Sequence, residues 1–310
     1  MTIIVRVPAT IANMGPGFDS FGMAVSVYNR FVFTQAETDT LLFSVSGQAD
    51  IQGLKQETQQ ATRGNILWKT LDLLYTRANQ PRPALQIEVE ADIPVARGLG
   101  SSSTAIIAAL LAGNTLLNMR FSSIELLTMA IELEHHPDNV APALLGNVVL
   151  YDTKPYLLPW PTEWGIIALS PDYPVKTESA RRILPETVSQ TDSVFNLRKA
   201  SVLTYALLRE DADALRAALD DRLHQPYRRK LIAEYDALEQ LVLEHGAYGM
   251  IISGSGPTMA VFYPNVLHAS LLETLNAAIQ QHRWPIRVHD VTLDRDGAQL
   301  AKIEPTLLPA

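Results

Sequence analysis

The run Pro94-Val95-Ala96-Arg97-Gly98-Leu99-Gly100-Ser101-Ser102-Ser103-Thr104 places bare backbone amides beside consecutive hydroxyls. Such a run suits an anion. Glycines let a ligand approach the main chain closely, and the unpaired N–H groups of a starting helix carry the positive end of its dipole. Phosphate is the ligand these residues fit. A second concentration, Ala130-Ile131-Glu132-Leu133-Glu134-His135-His136-Pro137-Asp138-Asn139-Val140-Ala141-Pro142, gathers acids, two histidines and an amide. Zinc suits it poorly, because adjacent histidines cannot both turn the same way on a helix and no His-x-x-x-His spacing exists. Mg²⁺ suits it better, since that ion takes hard oxygens and needs only one or two from the protein. Glu134 with one loop serine would suffice.

These residues need a strand, a loop and a helix to hold them. Leu85, Ile87, Val89, Ala91 and Ile93 alternate with Gln86, Glu88, Glu90 and Asp92, which predicts a strand with one buried face. After the serines, Ala105 to Leu111 is almost wholly apolar and reads as a buried helix. Of two familiar phosphate loops, one is excluded and the other fits poorly. A Walker A loop needs a lysine, and none occurs between Lys69 and Lys154. A dinucleotide fingerprint needs a third Gly or Ala where Ser103 stands, and a preceding strand buried on both faces. The bland alternative is a loop whose serines merely cap the helix. Arg97 would either neutralise phosphate charge or be solvated.

Elsewhere the pattern predicts strands at Val25 to Phe33 and Leu41 to Val45, and helices at Asn65 to Ala78 and Ser122 to Glu134, the latter with a Ser-x-x-Glu cap. The prolines between Lys154 and Pro161 read as a connection between two halves, 1–155 and 156–310. Beyond it come a strand at Gly165 to Leu169, then helices at Glu186 to Leu208, Asp211 to Ala218 and Leu231 to Glu244. Strands at Gly249 to Ser253 and Thr258 to Phe262, a helix from Val266 to Gln280 and a strand from Ile286 to Val291 complete an α+β second half. With 310 residues, 47% of them hydrophobic, each half can bury its own core. A formal net charge of −8 argues against nucleic acid as a partner. The absence of cysteine fits a cytoplasmic protein, and no apolar run approaches a membrane span.

The loop also resembles the second motif of the GHMP kinases, named for galactose, homoserine, mevalonate and phosphomevalonate. Segments similar to the family's other two motifs stand near the termini: Pro8-Ala9-Thr10-Ile11-Ala12-Asn13-Met14-Gly15-Pro16-Gly17-Phe18-Asp19 and Ile252-Ser253-Gly254-Ser255-Gly256-Pro257-Thr258. The last is a Gly-rich turn between strands, which either meets ligand or braces the phosphate loop. The string around Glu134 is similar to the homoserine kinase branch, with His135 where that branch has Gly. A left-handed backbone there would cost His more than Gly.

The resemblance implies an α+β two-domain fold, the first domain like domain 2 of ribosomal protein S5 with a left-handed βαβ crossover, the second ferredoxin-like. It implies ATP over residues Pro94 to Thr104 with adenine near Asn65, and Mg²⁺ on Ser102 and Glu134. Its acceptor would be L-homoserine, with Arg181 and Arg228 on the carboxylate and Asp19 beside Asn13 on the ammonium. Thr177 and Gly254 would lie nearby, and His136 and Asn139 would orient the hydroxyl. Asp138 falls where sister kinases place a base, with Asn139 beside it as the alternative that simply positions the hydroxyl. Trp68 reads as core and Arg182 as structural or solvated. The family expectation is a homodimer. A mevalonate-type kinase is the nearest rival, separated by the His136 to Pro142 string. A non-catalytic nucleotide-binding regulator would not need Glu134, Asp138 and Ser102 intact.

Overall fold

The structure, a computed structural model, describes residues 2–44 and 65–303. Two sheets organise it. The first has seven strands: β1 (Thr2–Ala12), β2 (Phe21–Gln35), β3 (Thr40–Ser44), β4 (Leu85–Ala91), β5 (Val148–Tyr151), β6 (Pro155–Leu158) and β11 (Gln299–Ile303). Its main path runs β11-β1-β2-β4-β3, and β5 pairs with the start of β2 and carries β6 on its other side. Ile3, Val5 and Val7 alternate into the core from β1, as Ile87 and Val89 do from β4. β3 and β4 are parallel and joined through the helix α1 (Ile66–Ala78), so they form a βαβ unit.

Four helices cover this sheet: α1, α2 (Ser101–Leu116), α3 (Ser123–Glu134) and α4 (Pro137–Leu145). α2 is apolar all round because it is enclosed, touching β1, β2 and the other three helices. The Ser122 cap forms as expected, with the Glu125 carboxylate accepting from the Ser122 amide at 2.8 Å.

The second sheet is antiparallel in the order β10-β7-β9-β8, built from β7 (Trp164–Pro171), β8 (Gly249–Ile252), β9 (Met259–Pro264) and β10 (Ile286–Val291). α6 (Gln190–Arg209) and α7 (Ala212–Ala218) lie on one face. α9 (Tyr235–Glu244) and α10 (His268–His282) lie on the other. Both faces are covered, so β7 is buried at every residue. The core beneath α6 also contains Ala9, Ile11, Phe21 and Met23 of the first sheet, so the two halves share apolar packing. Two short helices, α5 (Thr177–Arg182) and α8 (Gln225–Arg228), stand at the junction.

Several boundaries differ from the sequence reading. The proline-rich connection contains β6, which pairs with β5, so the division at 155/156 falls inside a strand of the first sheet. β11 returns from the end of the chain to pair with β1, so the sheets do not follow the two linear halves. The reading marks neither β1, β11, α5 nor α8. The long helix α6 begins at Gln190 with Ser189 as its cap, and α9 begins at Tyr235 after a 3-10 turn at Arg229–Leu231. Val45 lies outside the described residues.

Candidate active site

One cleft of about 490 Å³ brings most of the chemistry-bearing residues together. Its roof is the loop between β4 and α2. Gly100 is the N-cap of α2 at φ +70°, and it offers no side chain to the first-turn N–H groups. The alternative in which the serines merely cap the helix is excluded: they lie inside α2, which begins at Ser101 as expected, and its N-terminus opens toward the cleft. Val95, Ala96, Arg97, Gly98, Gly100, Ser101 and Ser102 line the cleft; Pro94, Leu99, Ser103 and Thr104 do not. Helical rotation of about 100° per residue accounts for the split among the hydroxyls. Ser102 is exposed, whereas Ser103 and Thr104 are buried, and Thr104 Oγ1 donates to the Ser101 carbonyl at 2.8 Å.

Arg97 is almost wholly buried, and its guanidinium donates to the Asp172 carbonyl, tying the loop to the second domain. The Gly-rich turn between β8 and β9 braces the same loop. Ser253 Oγ donates to the Gly98 carbonyl at 2.5 Å and the Thr258 amide to the Arg97 carbonyl at 3.1 Å. Gly98, at φ +82°, lies so close that a Cβ there would collide with the Ser253 carbonyl. Asn29 holds both ends of the loop, accepting from the Asp92 and Ile93 amides at 3.1 and 3.0 Å and donating to Thr104 Oγ1 at 3.0 Å.

At one end the cleft is apolar, with Phe31, Phe43, Ile66, Val89 and Ala91 around Asn65. Asn65 caps α1 through its Oδ1, which accepts from the Leu67 amide at 2.9 Å. A flat aromatic base fits this end. Trp68 is buried in the core, as expected.

Glu134 closes α3 and lines the cleft. Burial pushes its carboxyl above the ordinary range, against the opposing pull of His136 and of the Ser103 and Ser102 hydroxyls. His135 takes the left-handed position after the helix at φ +70° and faces solvent. That turn sends only His136 inward, where its Nδ1 lies 2.5 Å from Asp138 Oδ1. Burial alone would lower the His136 imidazole, but the Asp138 hydrogen bond and the Asp138, Glu134 and Asp19 charges outweigh it and raise it. Asp19, His136 and Asp138 could also converge on a metal, although their donors mix nitrogen and oxygen. Asn139 lines the cleft with its Oδ1 accepting from Thr10 Oγ1 at 2.7 Å.

The far end is charged. Asp19 stands at φ +54° with its amide held by Asn13 Oδ1 at 3.1 Å, and its carboxylate pairs with Arg181 at 3.3 Å. Thr177 opens α5 and lines the same end. Arg228, on α8, is buried, which pushes its guanidinium down to about 10, although Asp19 pulls the other way. It donates to the Gly254 carbonyl at 2.8 Å, and that carbonyl also accepts from Asn13 Nδ2 at 3.2 Å. Gly254 thus meets the cleft as a hub for two neighbouring side chains. Arg182 pairs with Glu178 on the surface, 2.5 Å apart. His224 escapes the sequence reading: it is fully buried, its Nε2 lies 2.8 Å from the Gly15 carbonyl, and its ring stacks on Phe18.

The arrangement can hold a base, a polyphosphate and a small zwitterion in line. Residues 65–147 match the GHMP kinases N terminal domain and residues 203–278 the GHMP kinases C terminal domain. A protein named homoserine kinase from Synechococcus sp. is 41% identical over 307 residues, covering 97% of this chain and 98% of that protein. Another of that name from Crocosphaera subtropica is 38% identical over 306 residues, covering 96% and 97%. The crystal structure of homoserine kinase from Cytophaga hutchinsonii superposes with a TM-score of 0.84 at 25% identity, covering 97% of each chain.

Proposed function

Because the chain belongs to the GHMP kinase family, we propose that its cleft transfers the γ-phosphoryl group of ATP to the side-chain hydroxyl of L-homoserine, giving O-phospho-L-homoserine and ADP. That product is an intermediate on the route to threonine. The observation that carries the reading is one continuous cleft with an uncapped helix N-terminus in its roof and the Arg181, Arg228 and Asp19 charges at its far end. An α-amino acid presents one carboxylate and one ammonium, and this end supplies guanidinium for the first and carboxylate for the second. An acceptor with no ammonium would leave Asp19 without that partner.

Adenine occupies the apolar end by Phe31 and Phe43, and the phosphates lie under the amides of Gly98 to Ser102. Phosphoryl transfer runs through a loose transition state, so positioning and charge neutralisation outweigh early proton removal. Asn139 holds the acceptor oxygen. One oxygen of Asp138 holds the His136 imidazole in place, and the other is left to face the acceptor hydroxyl held by Asn139. Glu134 and Ser102 would hold Mg²⁺, whose chemistry there is neutralisation of phosphate charge. The fit rests on hard oxygen donors and on a buried carboxyl that a cation would stabilise in its ionised form. With ATP as co-substrate and no cysteine, the working compartment is the cytoplasm. Among the described residues no helix is long and apolar enough to cross a membrane.

A coupled ADP-release assay across homoserine, serine, threonine, mevalonate and galactose tests this. Homoserine should give the highest kcat/KM by at least tenfold, and preference for mevalonate would overturn the acceptor assignment.

A further inference from the structure

Thr10 sits where the phosphate loop and the acceptor amide meet. It is fully buried in β1, its amide donates to the Leu99 carbonyl at 3.1 Å, and its Oγ1 donates to Asn139 Oδ1 at 2.7 Å. Gly100 packs directly over that hydroxyl, so any Cβ at position 100 would collide with Thr10 Oγ1. One small side chain therefore touches both the cap of the phosphate-binding helix and the amide that faces the acceptor.

The contact decides which half of that amide meets substrate. A primary amide can accept through its oxygen or donate through its nitrogen. With Oδ1 committed to Thr10, Nδ2 is the half left for the cleft that Asn139 lines. An N–H donor there holds one lone pair of the acceptor hydroxyl and leaves another to meet phosphorus. The flipped amide would accept the hydroxyl proton instead and let the oxygen rotate.

We propose that Thr10 is a positioning residue for phosphoryl transfer: its hydroxyl locks the Asn139 amide with Nδ2 toward the acceptor and ties that amide to the phosphate loop at Gly100. The proposal rests on the reading of Asn139 as the contact to the acceptor hydroxyl.

The test compares Thr10→Val, Thr10→Ala and Thr10→Ser, each alone and combined with Asn139→Ala, against the wild type. Steady-state rates are measured with both substrates, and nucleotide affinity with a fluorescent ATP analogue in the absence of acceptor. Thr10→Val and Thr10→Ala should each lower kcat about tenfold, near 1.4 kcal/mol, with nucleotide Kd changed less than about twofold. Thr10→Ser should recover most of the loss. In the Asn139→Ala background, removing the Thr10 hydroxyl should cost nothing further. Equal losses in nucleotide affinity and kcat, a full additional loss in the Asn139→Ala background, or no recovery by Ser would each overturn the proposal. Should Thr10→Val not fold, Thr10→Ala is read by the same criteria. Failure of the acceptor assignment is separately visible, as a wild type that phosphorylates another compound; the Thr10 ratios are then read with that acceptor. A wild type that phosphorylates nothing overturns both.

Discussion

The guanidinium of Arg181 lies 3.3 Å from one carboxylate oxygen of Asp19 and 3.4 Å from the other, across 162 residues of sequence. Each group therefore neutralises the other before any acceptor arrives. On the proposed reading a zwitterion would exchange that pair for two, its carboxylate on Arg181 and its ammonium on Asp19, with no net change in charge. An acceptor with only one charge would leave one member of the pair exposed to a poor partner.

Arg181→Met should raise KM for homoserine by roughly tenfold to a hundredfold, the range for losing a charge-assisted hydrogen bond, with KM for ATP nearly unchanged. Arg181 is half-exposed, so its loss should leave Tm within a few degrees. Arg228→Met should do more. That side chain also holds the Gly254 and Ala180 carbonyls, so both KM for homoserine and Tm should move. Equal effects of Arg181→Met on the two KM values would contradict its placement at the acceptor.

Glu134→Gln keeps the shape of the side chain but not its charge. It should lower kcat by at least a hundredfold and weaken nucleotide binding by much less, because the amides of the phosphate loop remain. Mg²⁺ titrations of the rate should show a weakened metal dependence in the variant. Full activity would remove Glu134 from the metal assignment.

His289 gives a stability prediction remote from the cleft. It lies in β10 with its Nε2 buried and without a hydrogen-bond partner among the described residues. Burial, helped by the Arg287 charge, pushes its imidazole down to about 4. The fold therefore holds the neutral form, while the unfolded chain takes up a proton near pH 6.5. This contribution is complete above pH 6.5 and is lost as pH falls from there toward 4, at up to about 1.4 kcal/mol per pH unit and about 3 kcal/mol in all. Urea midpoints at pH 7.5 and 4.5 should differ less in His289→Phe than in the wild type. An unchanged difference would assign the acid loss to other groups.

What the sequence discloses is local chemistry. The hydroxyl run and Glu134 are legible because residue type and spacing already state the ligand they suit, whereas Arg181 and Arg228, 47 positions apart, stand out only through the resemblance to the family. Their neighbours are not. Thr10 and Asn139 are 129 positions apart, and His224 reaches a carbonyl 209 positions away. Thr10 stands inside the N-terminal motif, but nothing local says which distant group its hydroxyl meets. Of four consecutive hydroxyls, the sequence cannot say which face the cleft; the phase of α2 decides that. β11 escapes for a similar reason, since its partner β1 is at the other end of the chain. The shape of the turn at His135 is not legible either: a His in place of Gly leaves it open whether the left-handed backbone is kept, and only the structure shows that it is, at φ +70°.

Gly98 tests whether the turn between β8 and β9 acts as a brace. At φ +82°, an alanine costs about 1 kcal/mol or more in backbone strain alone. Its methyl group would also drive into the Ser253 carbonyl, backbone that cannot rotate away as a side chain would. The loop must then move off the second domain, which carries the amides away from the phosphates. Gly98→Ala should therefore raise KM for ATP at least tenfold and lower Tm, with a smaller effect on KM for homoserine. Ser253→Ala removes only the hydrogen bond from Ser253 Oγ to the Gly98 carbonyl and adds no bulk, so it should cost about 1 kcal/mol of stability and raise KM for ATP only a few fold. If Ser253→Ala proves as damaging as Gly98→Ala, the hydrogen bond carries the brace; if both leave KM for ATP unchanged, the turn does not position the phosphate loop.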